Sequence, residues 1–235
     1  MCTTINLSHF ATNAVPSDVL DALKASRPDQ IRERAWLVIF YSVALSSLDG
    51  TASSAHTASL RSNLWLAFND VRLLLEPSLL NIQALVTMTL HAEKYLAPYA
   101  CWTLVSKACI MLIALGIGTH AHVDPTTKKQ RNALFWRLNA LDKSLALILS
   151  RSPNFQRDLM KAVPLPTLEE LLSSRPRYST DGMPILFEAH FDQQMYLLSR
   201  VQIEVWHCLP GQEAQNVVKV RKDLKSWYNE AVKAC

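Results

Sequence analysis

The sequence predicts an all-α protein, and three observations predict it. Apolar residues recur at every third or fourth position through most of the chain, which is the spacing of one face of an α-helix. Only 5 of the 235 residues are glycine, a scarcity that disfavours β-sandwiches and glycine-rich phosphate loops. No segment sustains the alternation of a half-buried strand. We therefore expect a multi-helix bundle of antiparallel helix pairs, with one long C-terminal helix.

In the N-terminal part, two helices are predicted on either side of a loop. The first is capped by Ser26 or Asp29 and ends at Gly50, and GTASSAHTAS after it has the composition of a loop. The second spans about residues 60–75. It is expected to end there because the next residue stands before a proline, and that position disfavours helical geometry.

Two strongly apolar helices follow. Residues 79–96 are apolar on all sides, which is typical of a helix at the centre of a bundle. Pro98 separates this helix from a second apolar helix, which ends at Gly116 and Gly118. Because their connection is short, the two helices are expected to pack antiparallel.

Asp124 and Pro125 supply a cap and a first-turn proline for the next helix, which ends near Ser150. An apolar stripe from Phe187 to Val205 indicates a later long helix. The remaining C-terminal predictions are an irregular crossing at 153–184 with one short helix at 167–172, the long helix at 185–208 and a last helix at 217–232.

The chain is expected to be a single helical domain over residues 1–235, with residues 1–28 less ordered. It contains 24 Lys and Arg against 20 Asp and Glu, a surplus too small to indicate nucleic acid. Five scattered cysteines favour free thiols in a reducing compartment. No uncharged run is long enough to cross a membrane, so we expect the nucleus or the cytoplasm.

One carboxylate lies within an apolar helical pattern. The stretch LFWRLNALDKSLALIL, residues 134–149, places Asp142 at or inside the stripe that the apolar residues form. A buried carboxylate is costly unless it is paired or hydrogen-bonded. The favoured interpretation is a structural one, in which the carboxylate accepts hydrogen bonds from backbone or cationic groups of a neighbouring helix and Lys107 is the expected cation. The alternative is a general base.

Four further polar residues are candidates for a ligand-binding pocket that includes Asp142. Gln83 and His91 lie in the all-round apolar helix, and His190 and Gln194 lie one turn apart on the long C-terminal helix. Each is also explained as a satisfied core residue, but together they suit an apolar pocket with few oriented polar groups. Asp142 and His91 are the candidate catalytic groups if the chain is an enzyme.

No metal site or cofactor is predicted. His120 and His122 form an HxH pair without a nearby third ligand. Phosphate loops, GxSxG and HExxH motifs are absent from the sequence. The basic stretch KVRKDLKSWYNEAVK is interpreted as a solvated helix face, with nonspecific nucleic-acid contact as the alternative.

Two motifs carry a resemblance to a known family. LLNIQALVTMTLHAEKYLAPYACWTLVSKACIMLIALGIGTH resembles a QAL helix and an "AW" helix that lead to "LGLH". LFWRLNALDKSLALILSRSP resembles "LFW.l..LD..ls..lGRP", and KAVPLP resembles the sequel of that motif. The family is the regulatory, or middle homology, domain of fungal zinc-cluster transcription factors, and the resemblance covers about residues 79–166.

The sequence departs from this family at its DNA-reading module. That module needs six clustered cysteines, and no pair of cysteines here has CxxC spacing. "GRP" is replaced by residues 150–153, and "LGLH" by residues 115–120. The resemblance therefore implies a regulator-like domain that does not itself read DNA sequence.

The leading expectation is a fungal regulator domain that binds an apolar small molecule or a protein partner, in the setting of secondary metabolism, with a homodimer possible and no membrane contact. The alternative is a cofactor-independent enzyme that cyclises or isomerises a hydrophobic metabolite, as a pericyclase or Diels-Alderase does. Such an enzyme would act by holding its substrate in a reactive conformer.

Overall fold

The computed structural model describes residues 15–48, 54–95, 97–119, 124–174, 186–208 and 214–233. In these ranges the chain forms eleven α-helices and no strand, which confirms the predicted all-α class. None of the described helices is long and apolar enough to span a bilayer. The helices are α1 Ser17–Lys24, α2 Arg34–Ser47, α3 Ser54–Phe68, α4 Arg72–Leu75, α5 Leu79–Tyr95, α6 Pro98–Ala114, α7 Pro125–Leu149, α8 Arg157–Ala162, α9 Leu168–Ser174, α10 Phe187–Cys208 and α11 Ala214–Lys233.

The chain divides into two compact units, Met1–Gly116 and Ile117–Cys235. The expected single domain over residues 1–235 stays a prediction. So does the expectation of a less ordered segment at 1–28, of which residues 1–14 lie outside the described ranges.

Helix α5 is the centre of the first unit. It packs against α2, α4 and α6, and every side chain from Asn81 to Thr89 is buried. This confirms that the all-round apolar helix lies inside the bundle. Two residues separate α5 from α6, so these contacting helices run antiparallel.

Three of the buried polar side chains of α5 bond to nearby backbone. Asn81 Nδ2 donates to the carbonyl of Glu76 at 2.9 Å. The hydroxyls of Thr87 and Thr89 each donate to the carbonyl four residues earlier, at 2.8 Å. Because these groups are satisfied locally, they can occupy a buried helix without the penalty of an unpaired polar group.

Helix α7 begins and ends as the sequence predicts. Asp124 accepts a hydrogen bond from the backbone N–H of Thr127 at 2.9 Å, and Pro125 occupies the first turn. Ser150 ends the helix in the left-handed conformation, with a φ of 52°.

Helix α10 is the centre of the second unit, where it packs against α7, α9 and α11. The Asn139–Ser199 and Ser144–Gln202 hydrogen bonds show that α7 and α10 run parallel, because residue numbers rise together. The long crossing between the two helices allows this direction. Helix α11 runs antiparallel to α10, since Trp227 bonds to residue 194 and the two helices are joined by residues 209–213.

Several predicted boundaries were wrong. Residues 54–59 belong to α3 and not to a loop, and the predicted helix over 60–75 is broken at residues 69–71. Helices α1 and α8 were not predicted, because eight and six residues are too few to show a periodic apolar pattern.

The predicted apolar stripe of α10 was also wrong. Phe187 and Phe191 are exposed and their rings stack on each other, with centroids 6.3 Å apart. The buried positions are Ala189, Tyr196, Ser199 and Ile203. These positions are spaced by seven, three and four residues and therefore lie on one face of the helix. Two of them are Ala189 and Ser199, so apolar spacing favoured the other face, which carries the larger apolar residues.

Candidate functional site

Asp142 is fully buried in α7, with an exposed fraction of 0%, and its carboxylate is saturated with hydrogen bonds. Oδ1 accepts from the backbone N–H of Asn154 at 2.9 Å and from its side-chain amide at 2.8 Å. Oδ2 accepts from the Lys143 ammonium at 2.7 Å and from the backbone N–H of Phe155 at 3.1 Å. Four donors compensate for the loss of water around the charge.

The cation in this site is Lys143, with an exposed side-chain fraction of 1%. Its Nζ also donates to the carbonyl of Phe155 at 2.7 Å and lies 5.8 Å from the centroid of the Phe155 ring. The expectation of Lys107 as the partner was wrong. Neighbouring residues in a helix do not usually face each other, so the sequence favoured a cation on another helix.

Asp142 and Lys143 together hold the backbone of Phe155 from both sides. The Phe155 N–H donates to Asp142, and the Phe155 carbonyl accepts from Lys143. The Phe155 ring is itself fully buried and lies 4.8 Å from the ring of Phe135. The cluster therefore fixes where the chain turns after α7, which is a structural role. A role of Asp142 in ligand binding or catalysis stays a prediction.

A second group of polar contacts connects α7 to α10. Asn139 Nδ2 donates to the Ser199 hydroxyl at 2.7 Å, and that hydroxyl donates to the Tyr196 carbonyl at 2.6 Å. Arg200 lies over the ring of Trp136 at 5.5 Å. These contacts set the register between the two helices.

Burial shifts two pKa values on this side of α10. It raises the pKa of the Tyr196 phenol to about 12, although Arg137 opposes the shift by its charge and a hydrogen bond. Burial also raises the pKa of Asp192, again against the charge of Arg137. The neutral forms are favoured because desolvation penalises the anions.

The predicted ligand residues are distributed over both units. Gln83 is buried in α5 with 2% exposure, and His91 lies on α5 with a side chain outside the described part. His190 and Gln194 are half-buried on α10. The Asn139–Ser199 register places Asp142 about 12 Å along the axis from Gln194, at 1.5 Å per residue. Asp142 is therefore not adjacent to the other two, and the predicted pocket stays a prediction.

The metal interpretation of His120 and His122 falls on residues outside the described ranges. Among the described residues, no three His, Cys, Asp or Glu side chains are grouped so that they could hold a metal ion. Cys101, Cys109 and Cys208 carry thiols, and the first two are buried.

The first unit contains a groove of about 760 Å³ between α2, α3 and the turn at residues 69–72. Leu37, Leu66 and Val71 contribute apolar surface to its lining. Arg34 and Asn63 contribute polar groups. The groove therefore combines an apolar wall with hydrogen-bonding side chains, as ligand sites commonly do.

Charges at one end of the groove are arranged around Asp70. Arg72 donates to Asp70 from Nε at 3.1 Å and from Nη2 at 2.6 Å, and these bonds hold the pKa of that carboxyl below its usual range. Burial raises the pKa of the Tyr41 phenol, and the charge of Arg34 opposes this shift. Since Arg72 is held by Asp70, Arg34 is the better placed cation for a ligand.

Sequence reasoning missed this groove. Apolar spacing predicts one continuous helix over residues 60–75, whereas the groove depends on the break at 69–71. The dipeptide Asn69-Asp70 was the available signal, because both residues favour turns.

Removal of either buried charge should strongly destabilise the protein. Asp142→Asn and Lys143→Met are each expected to lower the free energy of unfolding by about 3–5 kcal/mol, because each leaves a buried partner unpaired. The double variant should lose less than the sum of the two. Urea denaturation of the full chain measures all three values.

The control is Asp158→Asn, which removes an exposed pair with Lys161 at 3.8 Å, where the side chains are 97% and 76% exposed. It should have little effect, because solvent screens such pairs. The structural role of Asp142 is rejected if its substitution is as mild as that of Asp158.

Ionisation of the Tyr196 phenol should lower the free energy of unfolding at alkaline pH. Its folded pKa of about 12 lies above the ordinary value of 10.0, so its contribution is complete below the ordinary value. The contribution is lost as the pH rises from 10.0 towards 12. Tyr196→Phe should therefore show a shallower loss of unfolding free energy than the wild type over this range. Equal slopes for the two proteins would contradict the burial of the phenol.

Comparison with known proteins identifies relatives among fungal regulators. The family described as the fungal specific transcription factor domain matches residues 35–230. A transcriptional regulator of Claviceps purpurea is 47% identical over 221 residues, which cover 92% of this chain and 36% of that protein. An uncharacterized transcriptional regulatory protein of Schizosaccharomyces pombe is 34% identical over 119 residues, or 48% of this chain and 19% of that protein.

No solved structure matches the chain. The chain spans little more than a third of the Claviceps relative and about a fifth of the Schizosaccharomyces one. The family match nevertheless extends from the start of α2 into α11 and includes both the QAL and the LFW motifs. This chain belongs to the family of the fungal specific transcription factor domain.

Proposed function

We propose that this chain is the regulatory part of a fungal transcription factor, that it acts in the nucleus, and that it responds to a small molecule bound in the groove of the first unit. The family match and the two regulator relatives support the regulatory role. The groove is the observation that supports a small-molecule effector, because its volume of about 760 Å³ is in the range of small-molecule sites.

The chemistry of the groove narrows the class of effector. Leu37 and Leu66 would contact an apolar body. Arg34 and the Asn63 amide would bind a carbonyl or carboxylate group on the same molecule. The proposed effector is therefore amphipathic, and a hydrophobic product of secondary metabolism that carries one acidic or carbonyl group would fit this description.

Sequence-specific DNA reading is assigned to a part of the regulator outside these 235 residues. A zinc cluster needs six cysteines in close spacing, and this sequence has five that are scattered. A shift of a specific promoter fragment by the purified chain at physiological salt would contradict this assignment.

The enzymatic alternative, a cofactor-independent cyclase or isomerase, has no support among the described residues. The Asp142 carboxylate is saturated by donors of the chain itself and has no exposed surface. The side chain of His91 lies outside the described part. Binding of a protein partner or a second copy in place of a small molecule also stays a prediction.

Native mass spectrometry of the chain purified from a fungal host tests the effector proposal. The wild type should retain a non-covalent small-molecule adduct. Leu66→Arg should lose the adduct, because the new side chain would occupy the groove. Leu75→Arg should keep it, since Leu75 is similarly exposed, at 66% against 70%, but lies outside the groove lining.

The same three chains, each fused to a heterologous DNA-binding module, test the regulatory role with a reporter gene. Wild type and Leu75→Arg should change expression alike, and Leu66→Arg should differ from both. A wild type without an adduct would contradict the effector proposal. A folded fusion that leaves the reporter unchanged would contradict the regulatory role.

A further inference from the structure

Helix α11 uses one side to pack against the rest of the second unit. It contacts α10, and Val220, Trp227 and Ala231 on this side are half-buried. The indole N–H of Trp227 donates to the carbonyl of Gln194 at 2.9 Å. This bond fixes which face of α11 is turned inward.

A second apolar face of α11 is exposed. Val217, Leu224, Tyr228 and Val232 are separated by seven, four and four residues, which places them on one side of a helix. All four are exposed, Tyr228 at 60%. We call these four residues, together with Arg221 and Lys225 between them, the α11 stripe.

The charges on α11 are separated by side. At 100° per residue, Arg221 falls inside the exposed stripe and Lys225 falls at its edge, next to Val232, and both are exposed. The carboxylates of Asp223 and Glu230 fall on the opposite side of the helix, together with Lys219. The stripe therefore presents apolar and cationic groups but no anion from its own helix.

We propose that the α11 stripe docks an acidic amphipathic helix of a partner protein. The apolar residues of such a helix, spaced by three or four, would cover Val217, Leu224 and Tyr228. Its flanking Glu or Asp residues would pair with Arg221 and Lys225. This proposal does not depend on the groove of the first unit.

Other occupants suit the stripe less well. A second copy of α11 would place the cations of one stripe next to the cations of the other, and like charges repel each other. Nucleic acid would use the cations but leave the exposed apolar side chains unused. A membrane surface favours an outward Trp, whereas Trp227 is turned towards α10 and bonded there.

The test is fluorescence anisotropy with the full chain and a labelled synthetic helical peptide that has leucines on one face and glutamates beside them. The peptide should bind saturably. Tyr228→Ser should weaken binding by about tenfold, because it removes an apolar anchor. Arg221→Glu should weaken it by about fivefold or more, through charge reversal.

Lys219→Glu is the matched control, since it makes the same change of charge on the opposite side of the helix. It should change the Kd of the peptide by less than about twofold, because solvent and salt screen an exposed charge on the opposite side of the helix from the bound peptide. Leu66→Arg should bind the peptide like the wild type, which separates this proposal from the effector site.

Three results would overturn the proposal. The first is no binding of the peptide, or equal binding of a peptide with the same composition in scrambled order. The second is an equal effect of Arg221→Glu and Lys219→Glu. The third is displacement of the peptide by anionic phospholipid vesicles or by a random DNA duplex that binds the chain more tightly.

Discussion

The second unit depends on the clamp that Asp142 and Lys143 place on the backbone of Phe155. One side chain accepts the Phe155 N–H, and the other donates to the Phe155 carbonyl. The two charges neutralise each other at 2.7 Å, so an anion and a cation can both be buried in an apolar helix. The clamp sets the direction of the chain after Ser150. The crossing that follows leads the chain to α10, which runs parallel to α7.

Further side-chain contacts connect the helices of the second unit to one another. The indole N–H of Trp136 donates to the carbonyl of Pro164 at 2.8 Å, which ties the crossing to α7. Arg157 pairs with Glu204, which ties α8 to α10. Helix α10 in turn carries α11 through the Trp227–Gln194 bond. The orientation of the α11 stripe therefore follows from contacts that begin at the buried pair.

The fold class and the long helices could be predicted from the sequence, because apolar spacing, Asp124-Pro125 and Pro98 are local signals. The partner of Asp142 could not be predicted in the same way. Its donors are the adjacent lysine, the side-chain amide of Asn154 and two backbone amides 12 and 13 residues further on, and backbone amides carry no signature in the sequence. The groove was missed for a related reason, because it is made by a break in a helix and not by a motif.

Native-state hydrogen exchange of the backbone amides of Asn154 and Phe155 tests the central claim most directly. Both amides donate to the buried Asp142 carboxylate, although they lie in an irregular segment between α7 and α8. If the clamp holds the second unit together, they should exchange only through global unfolding, with protection equal to that of the core of α7. Exchange as fast as that of exposed loop amides would contradict the account.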